Sequence, residues 1–462
     1  MNKLLLILLG LTQSASTHRR RGIIGLWLIL GLNLSLIIIT STARDTRPPS
    51  DYVLTIETDR PKAFYQQGER VGFNISLTRK GQPVNSAKIH LRISKDGITP
   101  NIHEEDIVIT NGKAFTSAVL SEPGFLNGRV DFRVPEENRI LSSFAAAAVD
   151  PLKIGPSMPP PDDFDEFWAS QKERLADSKI NLKMTLVDSA YSDLEIYDVQ
   201  ADCFDGIHLS AYLAKPVGAK PASLPATVLC HGAGVASSRM SSVAGWAREG
   251  FVAIDFNAHG LPNGQPRSFY TNLYKNELKR YYMRGAKSRE TLFFRELFIR
   301  LMRATDIVAS QPEWDGKILV ANGRSQGGGQ AIAAAGLDSR VTFIAAQIPA
   351  LCDHTGIAAG RINGWPKLIP VDANGKPDSD VMKAVRYYDA MNFATRTKAD
   401  AFFTVGFIDR SCPPTGVYAA YNQLSGDKNI MNHLHTGHVT SEDADKAVRI
   451  AVLKHVRQMR NK

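Results

Sequence analysis

Three residue types in one chain order suggest covalent acyl-transfer chemistry: a serine in a glycine-framed bend, then an aspartate just past a strand, then a histidine near the C-terminus. The serine is Ser325, in Gly323-Arg324-Ser325-Gln326-Gly327 followed by Gly328 and Gly329. A serine hydroxyl attacks an acyl carbon only when a base takes its proton, and the flanking glycines allow a bend sharp enough to lift that hydroxyl clear of the backbone. Asp409 lies just past the apolar run Ala401–Gly406 and before Cys412-Pro413-Pro414, and His438 follows Gly437. A carboxylate there can fix the histidine tautomer and stabilise the imidazolium as it forms. His433, His435 and His438 lie together and raise a metal-site reading, but no carboxylate or cysteine stands at a matching ligand spacing. Neither a metal nor an organic cofactor is expected.

A nucleophile also needs donors for the oxyanion it creates. Ala226–Cys230 reads as a strand running into His231-Gly232-Ala233-Gly234. A His-Gly loop there supplies one backbone N–H and the residue after the nucleophile the other, so the expected oxyanion hole is Ala233 with Gln326. His231, His259 and His354 follow predicted strands and are candidates for the substrate pocket. The plainer reading is that a histidine at a strand end is simply hydrogen-bonded in place.

These residues have to be held by alternating strands and helices. Lys317–Ala321 reads as a buried strand entering the bend and Gln330–Ala335 as a helix leaving it. Arg289 to Val308 sets Phe294, Leu297, Phe298, Leu301 and Val308 on one helical face, a stripe for core packing. The alternation, with Ser, Asp, His in that order, predicts an α/β-hydrolase fold around a mostly parallel, doubly wound sheet over residues 151–462. Residues 44–150 have another texture. Short alternating runs such as Val71–Leu77 and Ile89–Ile93, with turn signals Lys80-Gly81 and Asn111-Gly112, predict six or seven strands of an immunoglobulin-like β-sandwich. It carries no catalytic constellation. A proline-rich joint, Pro156 to Pro161, leads into the acidic start of a helix at Asp162-Asp163-Phe164-Asp165-Glu166-Phe167-Trp168.

The N-terminus reads as an export segment: Arg19-Arg20-Arg21, the uncharged run Gly22 to Thr40, then Ser41-Thr42-Ala43. Residues 1–43 are either a signal peptide cleaved after Ala43 or an uncleaved membrane anchor, and both leave the rest of the chain outside the cytoplasm, whether periplasmic, extracellular or held at the membrane. The formal charge of the 462 residues is +9; residues 1–43 hold four cations and no acid, so the remainder carries +5. No interleaved basic and aromatic pattern points to nucleic acid. The basic stretch Lys275 to Arg289 reads as a solvated face, with contact to an acidic polysaccharide as the alternative. Cys203, Cys230, Cys352 and Cys412 are expected as free, mostly buried thiols, since a core of this size needs no staples.

The chain resembles the acetyl xylan esterase and cephalosporin-C deacetylase family, carbohydrate esterase family seven. The matching residues are Asp163-Phe164-Asp165-Glu166-Phe167-Trp168, Gly323-Arg324-Ser325-Gln326-Gly327-Gly328, Ile348-Pro349-Ala350-Leu351-Cys352-Asp353, and Asp409 with Cys412-Pro413-Pro414, over roughly Pro159 to the end. By that resemblance Ser325, Asp409 and His438 match the triad, and Ala233 and Gln326 the oxyanion positions. It implies removal of acetyl groups from acetylated xylan, xylo-oligosaccharides or related sugars. The alternatives are another serine hydrolase of this fold, a peptidase or larger-acyl esterase, and a non-catalytic carbohydrate-binding surface protein. Departures are Asn257-Ala258-His259-Gly260 where the family has Arg-Gly-Gln, Val439 where a glutamate is usual, and Ala233 where tyrosine is common. The all-β segment is added to the family's usual single domain, which leaves open whether the family's ring-like homo-oligomers form here.

Overall fold

The computed structural model describes residues 50–461, so the expected export segment, residues 1–43, lies outside the described residues. Among the described residues no helix is long and apolar enough to cross a membrane. Residues 51–461 form one compact unit built on two nine-stranded sheets.

The first sheet takes up Tyr52 to Val149 and folds back on itself as a sandwich. Tyr52–Thr58, Arg70–Arg79 and Lys113–Val119 make one antiparallel layer; His103–Thr110, Ser86–Lys95, Gly124–Val134 and Arg139–Val149 make the other. A tight hairpin at Asn111-Gly112, both at positive φ, joins the layers. Alternation puts Val71, Phe73, Ile75 and Leu77 inside, facing Leu91, Ile93, Val130 and Phe132. The strand Arg139–Val149 ends in Phe-Ala-Ala-Ala-Ala-Val, all buried from Ala145 on. That run is buried on both faces: Ala145 and Ala147 belong to the sandwich core, while Ala146 and Ala148, with Phe125, join the core of the second layer system. The two parts of the chain therefore share an apolar seam.

The second sheet has the order Lys183–Leu186, Leu194–Asp202, His208–Pro216, Val252–Phe256, Leu224–Cys230, Trp314–Arg324, Val341–Gln347, Asp400–Gly406, Lys428–His433. Pairing is antiparallel among the first four and parallel from Val252–Phe256 onward. The strand Trp314–Arg324 shows why the central strands read as unbroken apolar runs. Leu319 and Ala321 pack with the helices Phe293–Ala309 and Gln326–Leu337 on one face, and Ile318 and Val320 meet Val448, Val452 and Val456 of the C-terminal helix Glu442–Arg460 on the other. This is a doubly wound α/β-hydrolase architecture. All four cysteines are buried and free.

Candidate active site

The sheet delivers its chemistry at the C-terminal ends of adjacent parallel strands, where the chain must turn and side chains stand free of the ladder. Ser325 follows the strand Trp314–Arg324 at φ 56°, ψ −121°, and the helix Gln326–Leu337 starts with the next residue. Non-glycine residues rarely sit there; the cost is about 1–3 kcal/mol, repaid by surrounding contacts. The bend is held by Ser325 N–H donating to Gln347 O (2.9 Å) and by Ser325 O accepting from Ala350 N–H (2.8 Å). Gly327 cannot carry a side chain, because a Cβ there would lie 2.1 Å from the carbonyl oxygen of Cys230. The motif's glycine thus presses the elbow against the end of the strand Leu224–Cys230.

Asp409 and His438 follow the second and third strands along the sheet from there, Asp400–Gly406 and Lys428–His433. Ser325 Oγ lies 2.9 Å from His438 Nε2, and His438 Nδ1 lies 2.8 Å from Asp409 Oδ2. The other carboxylate oxygen of the buried Asp409 accepts from the backbone N–H groups of Ser411 (2.8 Å) and Cys412 (2.9 Å). Those donors fix the carboxylate so that one oxygen faces the imidazole. The histidine loop closes over Gly406: Ile408 N–H donates to Thr436 O, and a Cβ on Gly406 would meet the carbonyls of Thr436 and Gly437 at 2.5 and 2.6 Å. Of the three clustered histidines only His438 reaches the aspartate; His433 ends a strand and His435 is exposed. Among the described residues, the group with metal-ligating geometry is Asp409, Cys412 and His438. A metal there would need the thiolate of Cys412, and burial pushes that thiol well above its ordinary pKa.

On the opposite flank, Ala233 lies in the loop after the strand Leu224–Cys230, and Gln326 is the first residue of its helix, where backbone N–H groups have no partner within the helix. Loop and helix are tied together by Gln330 Nε2 donating to His231 O (2.9 Å).

The three pocket candidates have separate fates. His231 Nε2 pairs closely with the buried Asp255. His259 Nε2 lies 2.9 Å from Gly234 O, and burial pulls its pKa down to about 4, so the ring is neutral. His354 is 1% exposed with both ring nitrogens unpartnered, and burial pulls its pKa to about 3; it sits in the interior beside Phe294 rather than on an open pocket wall. Its place after a strand misled because the chain stays buried all the way from Ile348 to Gly356.

The stretch Lys275 to Arg289 keeps the solvated face expected of it, with Lys275, Lys279, Arg280, Arg284 and Lys287 exposed, but it also turns one residue inward and pairs three cations. Tyr281 is 3% exposed, Arg284 pairs with Glu296, Lys287 with Asp378, and Arg289 with Asp163. Lys275, Lys279 and Arg280 stay in solvent. Tyr281 is the residue of this neighbourhood that the sequence did not single out: its hydroxyl accepts from Gly234 N–H (2.9 Å) and lies 3.1 Å from Gln326 Oε1. One of two adjacent tyrosines, Tyr281 and Tyr282, in a stretch rich in lysine and arginine carries no motif.

Comparison with known proteins matches this architecture. The acetyl xylan esterase (AXE1) family model matches residues 151–454. The acetyl esterase Axe7A of Xylanibacter ruminicola is 27% identical over 426 residues, 90% of this chain and 94% of that protein, a span that must take in most of the sandwich. An acetyl xylan esterase from Paenibacillus sp. R4 is 26% identical with a TM-score of 0.57, covering 66% of this chain and 98% of that one. Acetyl xylan esterase 1 from Thermoanaerobacterium sp. JW/SL YS485 shares the fold at 22% identity and a TM-score of 0.56, over 66% of this chain and 97% of that one. By the extent of the family match and the Axe7A likeness, this chain belongs to the acetyl xylan esterase family and is a carboxylic ester hydrolase of the α/β-hydrolase fold.

Proposed function

We propose that this chain is an exported serine esterase that removes acetyl groups from acetylated xylan, xylo-oligosaccharides or related sugars through an acyl-enzyme. The observation that carries the reading is the unbroken line from Ser325 Oγ to His438 Nε2 (2.9 Å) and from His438 Nδ1 to Asp409 (2.8 Å). Ser325 Oγ attacks the acetyl carbonyl while His438 Nε2 takes its proton, and Asp409 holds the Nδ1–H tautomer. The oxyanion settles on the N–H groups of Ala233 and Gln326. His438 returns the proton to the departing sugar hydroxyl; water, activated by the same imidazole, then releases acetate. The names of the relatives support the acetyl group and the xylan, and the apolar segment after Arg21 supports export toward a polymer found outside the cytoplasm.

The test is acetate release from acetylated xylo-oligosaccharides beside p-nitrophenyl acetate, with Ser325→Ala as control. Turnover of both should fall at least about 10⁴-fold in the variant. A variant that keeps parental turnover ends the serine mechanism. Parental turnover of p-nitrophenyl acetate alone would reject xylan as the substrate.

A further inference from the structure

The oxyanion flank has a fastener that no motif of the chain predicts. Tyr281–Met283 form a single helical turn entered through Arg280 at φ 52°. This turn drives the Tyr281 ring inward, where it packs edge-on against His259 (4.5 Å) and Phe293 (4.7 Å). At its buried end the hydroxyl meets two partners from different elements. Gly234 N–H donates to it at 2.9 Å, so its own proton is free to go to Gln326 Oε1 at 3.1 Å. Burial pushes this phenol well above its ordinary range and keeps that proton in place.

Both partners adjoin the expected donors. Gly234 is at φ 137°, a conformation open to glycine, and is clamped twice: its N–H by Tyr281 and its C=O by His259 Nε2 (2.9 Å). The peptide that Tyr281 holds is the one between Ala233 and Gly234, so the hydroxyl restrains the residue whose N–H is the expected oxyanion donor. On the other side, Gln326 is fully buried and its Nε2 has no partner, which leaves the bond to Tyr281 as the side chain's hydrogen-bonded anchor among the described residues.

We propose that Tyr281 is a positioning residue for the esterase reaction: its hydroxyl bridges Gly234 and Gln326 and thereby holds the backbone donors of Ala233 and Gln326 at the spacing the tetrahedral intermediate requires. The proposal rests on the acyl-enzyme reading above. Donors of this kind work by being fixed before charge develops, and losing one outright costs about 10²–10³ in rate. Loosening two without deleting either should cost less, about 10–100-fold.

Tyr281→Phe keeps the ring and removes both bonds. We expect kcat on p-nitrophenyl acetate to fall about 10–100-fold with KM within about threefold, because the loss is confined to the transition state. Methylboronic acid, whose boron becomes tetrahedral and anionic when Ser325 Oγ bonds to it, should bind more weakly by a similar factor. Gln326→Met retains the backbone N–H of residue 326 and cuts the bridge from its other end; it serves equally if Tyr281→Phe does not fold. Combined, the two substitutions should cost little more than the worse of them. The proposal is overturned if kcat and methylboronate affinity stay within twofold of the parent, or if KM absorbs the change, or if the two effects multiply. Should Ser325→Ala retain activity, the acyl-enzyme reading fails and this inference with it. A dead Ser325→Ala beside an unaffected Tyr281→Phe removes this inference alone.

Discussion

The two flanks of Ser325 are built by opposite means. On the acid–base side, Asp409 and His438 sit just past two neighbouring parallel strands, and the bonds that orient them come from residues two to three positions away or from the adjoining loop. On the proposed oxyanion side the groups in question are backbone N–H donors, and the side chains tied to them come from afar: Tyr281 is 45 residues before Gln326 and 47 after Gly234, and His259 is 25 after Gly234. The acid–base side has a further support, because the sandwich leans on it. Phe407, two residues before Asp409, packs edge-on against Phe64 (5.8 Å) and Phe125 (5.1 Å) of the sandwich. Arg410 donates to Gly97 O (3.1 Å), and Thr415 Oγ1 bonds closely to the buried Asp96. Side-chain chemistry can be placed by local turns, whereas aiming a backbone dipole takes tertiary contacts.

The contrast breaks first, if it breaks, at the carboxylate. Asp409→Asn keeps shape and burial but presents an amide to His438, favouring the wrong imidazole tautomer. Its kcat on p-nitrophenyl acetate should drop by about 10⁴, with an unchanged melting temperature. A loss under tenfold would mean that Asp409 is not the partner His438 depends on. The Tyr281→Phe loss argued above should be far smaller, since that hydroxyl acts through donors it does not replace. Equal losses would erase the distinction between the flanks.

The same contrast explains what could be read in advance. A glycine-framed serine, then a strand-end aspartate, then a late histidine is a chain order specific enough that Ser325, Asp409 and His438 stood out, and the structure brings the three together. Every non-proline residue has an N–H, so Ala233 and Gln326 could be proposed only from their position in a motif, and Tyr281 and Asp96 not at all. The central parallel strands were legible as apolar runs because both of their faces are covered. In the sandwich, by contrast, the strand Arg139–Val149 went unread because its second half is alanine, a weak strand former that is here buried between two cores.

The sandwich's hold on the acid side should show in stability before activity. Thr415→Val keeps the volume of a fully buried side chain and deprives Asp96 of its hydroxyl donor, leaving the Ile362 N–H at 3.4 Å. A buried carboxylate short of a partner costs about 1–3 kcal/mol, measured as a lower denaturation midpoint at pH 7. Turnover of the folded variant should stay within tenfold of the parent. A collapse of kcat to the level of Asp409→Asn would show that the sandwich contact belongs to the machinery rather than to its scaffold.

The smallest effect separates the flanks by sign. Behind the acid side, burial lifts Asp96 to about 6, against the bond from Thr415 and the charges of Lys95 and Arg361. Behind the oxyanion side, burial drops His259 to about 4, aided by Arg300 and Arg284 and opposed by Gly234 O and Glu296. Between about pH 4 and 6 the native protein holds the Asp96 proton more firmly than the unfolded chain does, so this group's contribution falls as pH rises. His259 behaves in reverse: from about 6.5 down to 4 the unfolded chain takes up the proton that the native state refuses, so stability is lost as pH falls. The two contributions oppose each other in the parent, each with a slope of at most about 1.4 kcal/mol per pH unit, and single variants should uncover them. Asp96→Asn should gain on the parent as pH rises from 4.5 to 7. His259→Gln should gain on it as pH falls over the same interval, both read from urea unfolding. Differences that move in the same direction, or not at all, would show that the two flanks do not respond to protons in the opposing way their buried groups require.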